Sequence, residues 1–171
     1  MDRLFTLAWR YAAGLVRAEQ LPMEAAHLLA ADVDSPALRD LAGCSGRESR
    51  YELVGLLKQA LAESGTTLPH WETAERCHLH HLAGLLAAGH ATSAEVAAPL
   101  WERPDIAHTG AEHEFLVAVG PKHHVAHIAA HDPAAHQAWE SAMVAAAARL
   151  ALTTPAEMDA IRARLRFSGD K

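Results

Sequence analysis

Apolar residues recur at three- and four-residue intervals along most of the chain, which is the spacing of an amphipathic α-helix. The first apolar stripe predicts a helix from about residue 3 to residue 18 and consists of Leu4, Phe5, Ala8, Tyr11, Ala12 and Leu15. A second helix is expected from Pro22 to about Asp32, and a short third one from Pro36 through Leu41. Proline near a first helical turn is favourable because its missing N–H would be unpaired there in any case.

Capping signals mark the later boundaries. Ser49, Thr92 and Thr154 each precede a glutamate by three residues, a spacing that lets hydroxyl and carboxylate each bond an orphan backbone N–H. These boxes predict helices from about 50 to 64, from 93 to 101 and from 155 to 167, and a further helix is expected from about 70 to 88. Thr109 caps a segment to Val119, whose residues 115 to 119 could instead be extended. We also expect a helical turn or more over 122–131 and a long alanine-rich helix from 133 to about 152.

The composition agrees with this helical pattern. Half of the residues are hydrophobic and much of that fraction is alanine, the strongest helix former, whereas aromatic residues make up only 5%. The sequence therefore predicts an all-α, single-domain multi-helix bundle with short capped helices over residues 1–171, with a polar tail from about residue 168. The four tryptophans are expected to be large core anchors.

One segment resembles a known group of proteins. Residues 34–43 read D-S-P-A-L-R-D-L-A-G, and residues 97–101 read A-A-P-L-W. This pattern is similar to small helical proteins of unknown function from high-GC bacteria, over about residues 20 to 102. The resemblance implies an all-α fold and carries over no functional residue.

Charge and hydropathy narrow the function classes. The formal net charge is −6 with neutral histidines, which argues against nucleic-acid binding because that requires a basic surface. No stretch approaches the length of a membrane span, and Asp2, Arg10 and Arg17 interrupt any signal-peptide pattern. Cys44 and Cys77 are not spaced as a metal knuckle or a redox pair, so we expect reduced thiols. These features predict a cytoplasmic protein with no membrane partner.

Histidine is the unusual residue of this chain. Twelve of the 13 histidines fall between His70 and His136. Imidazole is the commonest metal ligand, and His124, His127 and His131 follow one side of a predicted helix at spacings of three and four. We therefore predict that these three bind a divalent transition metal, with micromolar affinity or weaker. Val125, Ile128 and Ala129 would form the opposite, buried face of that helix.

Two Glu-x-x-His pairs suggest a second metal site. Di-iron helical bundles use two such pairs together with further glutamates, and this chain contains Glu24 with His27 and Glu75 with His78. Glu75 and His78 fall on an apolar helix face, so they are the better metal candidates. A buried pair could also be satisfied without metal, either with His78 neutral or with His78 ion-paired to Glu75. His80 is expected to be exposed.

No catalytic motif accompanies the histidines. The sequence lacks a nucleophile elbow, a phosphate loop, a dinucleotide fingerprint and an H-E-x-x-H motif, and no cofactor is predicted apart from the metal. The leading hypothesis is therefore a non-catalytic module that binds a protein partner or a small molecule. The alternatives are a small metal-dependent enzyme that uses histidines of residues 70–136 with Glu75, and a homodimer joined through residues 133–152.

Overall fold

A computed structural model describes residues 3–103 and 107–167. Within these residues the chain forms nine α-helices and one short 3₁₀ helix, and it contains no strand. The all-α, multi-helix fold class is therefore confirmed. The expected polar tail from residue 168 lies outside the described residues. No helix of the described ranges combines the length and the apolar character needed to cross a bilayer.

The helices have the following bounds: α1 Arg3–Ala12, the 3₁₀ helix Ala18–Gln20, α2 Leu21–Leu29, α3 Pro36–Gly43, α4 Arg50–Glu63, α5 Trp71–Ala87, α6 Ser93–Leu100, α7 Gly110–Val119, α8 Lys122–His131 and α9 Pro133–Phe167. The segment from residue 115 to 119, for which an extended conformation was an alternative, belongs to α7.

The described chain divides into two compact units. The first contains residues 3–75 and 159–167, and the second contains residues 76–103 and 107–158. A leucine-rich core in the first unit includes Leu21, Leu38, Leu41, Leu53, Leu57 and Leu61. A separate core in the second unit includes Leu79, Val96, Phe115, Met143, Ala147 and Leu150. Each unit thus buries its own apolar helix faces, which is the main favourable contribution to its folding.

The predicted capping boxes are confirmed at three helices. Ser49, Thr92 and Thr109 each accept a hydrogen bond from the backbone N–H three residues later, and the glutamate at that position accepts one from the cap residue. Gly65 and Gly89 end α4 and α5 in the left-handed conformation, as the sequence indicates. The residue after each glycine donates its N–H to a carbonyl five positions back, which completes a Schellman motif.

The first helix is shorter than expected, since α1 ends at Ala12 and not near Ala18. Gly14 has a φ of +73°, and its N–H donates to the Tyr11 carbonyl while the Leu15 N–H donates to the Arg10 carbonyl. This is again a Schellman motif, so the chain leaves the helix at Gly14 although the apolar spacing continues to Leu15.

The last helix is longer than expected. Thr154 was predicted to cap a separate helix, but α9 runs from Pro133 to Phe167 with Pro155 inside it. The hydroxyls of Thr153 and Thr154 both donate to the Leu150 carbonyl. These hydroxyls do not cap a helix, and the Glu157 carboxylate accepts a hydrogen bond from Arg76 instead of from the backbone N–H of Thr154. The sequence pattern of a capping box is therefore misleading at this position.

The tryptophans only partly match the expectation of core anchors. Trp9 is buried, and Trp101 and Trp139 are partly buried with their indole N–H groups donating to the carbonyls of Gly120 and Val119. Trp71 is 47% exposed, so it is not a core anchor. It occupies the first residue of α5, where the helix has no preceding turn to cover the ring.

Candidate functional site

The three predicted metal ligands on α8 all lie at the surface. His124, His127 and His131 are exposed, whereas Val125 and Ile128 are buried and anchor the helix. Ala129 was expected to be buried and is exposed. The rings of His127 and His131 are neighbours, with their centres 4.9 Å apart.

The Glu-x-x-His pairs have different surroundings. His78 is 5% exposed, and burial, aided by the positive charges of Arg103 and His81, lowers its pKa to about 4. Glu75 is half-buried on the same helix. In the other pair, Glu24 lies 3.5 Å from a guanidinium nitrogen of Arg10 and His27 is exposed.

Across the described residues, no three His, Cys, Asp or Glu side chains come together as a metal site. The metal-binding roles of His124, His127, His131, Glu75 and His78 therefore remain predictions.

The main polar cluster was not predicted from the sequence. His80, expected at the surface, is 1% exposed and belongs to an ionic network of the second unit. Its Nε2 is 2.8 Å from Oε1 of Glu112, and its Nδ1 is 2.8 Å from the hydroxyl of Thr154. His80 is buried and not exposed because a buried carboxylate supplies the partner that makes burial of this imidazole favourable.

Glu112 is the fully buried hub of this network. Its Oε1 accepts hydrogen bonds from Nε and Nη2 of Arg76, at 3.0 and 2.8 Å, as well as from His80. Its Oε2 accepts from the backbone N–H groups of His108 and Thr109, at 2.6 and 3.0 Å. Five donors thus surround one carboxylate, about as many as its lone pairs can accommodate.

The network connects three helices of the second unit. Arg76 and His80 belong to α5, Glu112 to α7, and Thr154 and Glu157 to α9. Nη2 of Arg76 also donates to Oε2 of Glu157 at 3.1 Å. The arrangement therefore fixes the approach of these helices through charge-assisted hydrogen bonds.

The same saturation argues against a catalytic role for Glu112. Burial alone would raise its pKa, but the hydrogen bonds from His80 and Arg76 hold the pKa at about 2. A general base needs a free lone pair and a pKa near the working pH, and this carboxylate has neither. We interpret the network as structural.

An open site lies in the first unit. A groove of about 600 Å³, which we call the Tyr51 groove, is lined by Tyr11, Arg50, Tyr51, Val54, Gly55, Lys58 and Leu68. Tyr51 is 89% exposed, which is unusual for an aromatic side chain of this size. Such exposed aromatic residues are enriched at protein interfaces.

The Tyr51 groove carries positive charge in an acidic protein. Arg50 and Lys58 are its charged lining residues, and no carboxylate is among the described residues that line it. The Nε of Arg50 donates to the hydroxyl of Tyr11 at 3.2 Å, which positions the guanidinium group. Lys58 is exposed and has no ion-pair partner in the described part of the chain. Two cations are thus available to a ligand.

A second groove, of about 610 Å³, lies between α7 and α9 in the second unit. Its apolar residues include Val117, Ala142 and Ala145. Its charged residues Glu114 and Arg149 are already joined by a hydrogen bond of 3.1 Å. This groove therefore offers apolar surface to a ligand, but the charges of Glu114 and Arg149 are already paired with each other.

Comparisons of the chain with protein-family profiles, with curated proteins and with solved structures gave no match. The resemblance to helical proteins of high-GC bacteria thus remains a prediction.

The Tyr51 groove could not be predicted from the sequence, because its lining residues come from three separate segments of the chain. The neighbouring residues Arg50 and Tyr51 are the one local sequence signal of this groove.

Proposed function

We propose that the protein is a non-catalytic binding module whose Tyr51 groove receives an acidic, apolar segment of a partner protein. The observation that carries the proposal is an exposed tyrosine beside two available cations in a chain of net charge −6. Charge complementarity of this kind increases the rate and the specificity of association.

The lining of the groove suits a peptide segment. Val54, Leu68 and the ring of Tyr11 supply apolar contact area, and Tyr51 can cover an inserted side chain. Tyrosine and arginine are the residue types that most often dominate binding energy at protein interfaces. A carboxylate of the partner would bond to Arg50, whose guanidinium group Tyr11 already orients, and would lie near the ammonium group of Lys58.

The alternative of a metal-dependent enzyme has less support. An enzyme of that kind requires three or more protein ligands and an open coordination position. No such set occurs among the described residues, although Glu75 and the histidines of residues 70–136 remain chemically suitable ligands. We retain a cytoplasmic location as part of the proposal, because no disulfide bond joins Cys44 and Cys77, and cysteines remain reduced in compartments such as the cytoplasm.

The proposal is tested with defined peptide probes and fluorescence anisotropy. The first probe is a fluorescein-labelled peptide of twelve residues in which pairs of Glu alternate with pairs of Leu. A second peptide has Gln in place of every Glu, and a third has Ser in place of every Leu. We expect the acidic apolar peptide to bind most tightly, because it alone supplies both carboxylates and apolar side chains. Its affinity should fall as salt is increased, since exposed charges are screened.

Charge reversal in the groove provides the matched comparison. Lys58→Glu should weaken binding of the acidic peptide at least tenfold, whereas Arg47→Glu makes the same charge change at an exposed residue of the first unit outside the groove lining and should have little effect. The proposal is wrong if the acidic peptide does not bind at high micromolar concentration. Equal losses in the two variants would also contradict it, since net charge alone would then explain binding.

A further inference from the structure

Two exposed histidines of α8 have the separation expected of ligands that share one metal ion. The ring centres of His127 and His131 are 4.9 Å apart, and their planes are inclined by 53°. Apart from this ring contact, neither side chain has a partner in the described residues. Both rings can therefore turn a nitrogen towards a common ligand.

The distance can be compared with simple coordination geometry. A metal ion lies about 2.1 Å from a ligating imidazole nitrogen and thus about 3.2 Å from the ring centre. Two rings that meet the ion at an angle of about 90° to 109° then have centres about 4.5 to 5.2 Å apart. The separation of His127 and His131 falls within this interval, and it arises from their spacing of one helical turn.

We propose that His127 and His131 form a two-nitrogen chelating site for a late first-row divalent ion, namely Cu²⁺, Ni²⁺ or Zn²⁺. Neutral imidazole suits these ions, whereas Mg²⁺ and Ca²⁺ prefer oxygen ligands. Val125 and Ile128 are buried on the other side of α8 and hold the helix so that the pair faces outward. Water or an external ligand completes the coordination.

This assignment is narrower than the set predicted from the sequence. His124 lies one turn from His127, but no ring contact joins them, and no three-residue metal group exists in the described chain. A site with only two protein ligands agrees with the lack of a ring contact at His124 and with the lack of a three-residue metal group in the described chain. It is independent of the Tyr51 groove, which belongs to the other unit.

Calorimetric titration of the untagged full-length chain with CuCl₂, NiCl₂, ZnCl₂ and MgCl₂ tests the proposal. We expect one Cu²⁺ to bind more tightly than Ni²⁺ or Zn²⁺, as the Irving–Williams order requires, and no binding of Mg²⁺. His127→Ala and His131→Ala should each weaken Cu²⁺ binding at least tenfold. His90→Ala is the matched control, because His90 is an exposed histidine of the same unit outside α8.

Two further variants locate the ligands. His123→Ala and His124→Ala should retain the wild-type affinity for Cu²⁺ within about twofold. A loss at either position as large as that of His131→Ala would overturn the assignment to the His127–His131 pair. We take a dissociation constant of roughly 100 μM as the weakest affinity expected of a two-imidazole chelate. If no Cu²⁺ binds at that concentration, the proposed site does not exist.

Discussion

Replacing Glu112 by glutamine tests how much the buried ionic network contributes to stability. The substitution keeps the size of the side chain and one acceptor oxygen, but it removes the negative charge between Arg76 and His80. It also places an amide NH₂ among donors. Breaking a buried ion pair from one side is strongly destabilising because the remaining charge loses its partner.

The magnitude follows from the pKa of the carboxyl group. A pKa of about 2 in the folded protein, against an ordinary value of 4.5, corresponds to about 3 kcal/mol of stabilisation. Because the pKa of Glu112 is lowered on folding, this contribution is fully present above pH 4.5 and is lost as the pH falls towards 2. Glu112→Gln should therefore reduce the free energy of unfolding by about 3 kcal/mol at pH 7 and by about 1 kcal/mol at pH 3.

Urea denaturation followed by circular dichroism at both pH values measures this difference. Glu95→Gln is a close control, because Glu95 occupies the same capping-box position of α6, belongs to the same unit, and is exposed. Glutamine preserves a capping box, so the control should cost much less than Glu112→Gln at pH 7. Equal losses in the two variants, or a loss by Glu112→Gln that does not depend on pH, would refute the reasoning.

Two further stability predictions concern single residues. The pKa of His78 is lowered to about 4, so this residue should lower the free energy of unfolding by about 1 kcal/mol as the pH falls from 7.5 to 5.5. In urea denaturation, His78→Gln should remove this contribution to the pH dependence, whereas His90→Gln, at an exposed histidine, should leave it in place. Asp32 lies in the turn that follows α2 and has a φ of +61°. Asp32→Gly should therefore raise the free energy of unfolding by up to about 1 kcal/mol, and a lower melting temperature in calorimetry would show that the left-handed conformation is not strained.

Local signals predicted most of the helices, because caps and apolar spacing act over only a few residues. Thr92 with Glu95 and Thr109 with Glu112 are capping boxes in both the sequence and the structure. The same pattern at Thr154 does not form a capping box, because the Thr154 hydroxyl donates to the Leu150 carbonyl within α9 and Glu157 accepts a hydrogen bond from Arg76. Tertiary partners here override a local preference of about 1 kcal/mol.

The ionic network could not be inferred because its members are distant in the chain. Arg76 and Glu112 are 36 residues apart, and His80 is 74 residues from Thr154. A helical projection of α5 alone places His80 outside the leucine stripe, yet α7 and α9 bury it. Periodicity indicates which side of a helix is apolar, but it cannot reveal a buried charge that a distant charge neutralises.

The central claim is that the Tyr51 groove is the binding surface of this protein. Amide chemical-shift mapping of the ¹⁵N-labelled full chain, titrated with the acidic Glu–Leu peptide, tests it most directly. We predict that the amides of Tyr51, Val54 and Leu68 show the largest shift changes. These changes should become smaller in Lys58→Glu and should remain in Arg47→Glu. Changes confined to the groove between α7 and α9, or no saturable change at all, would contradict the account.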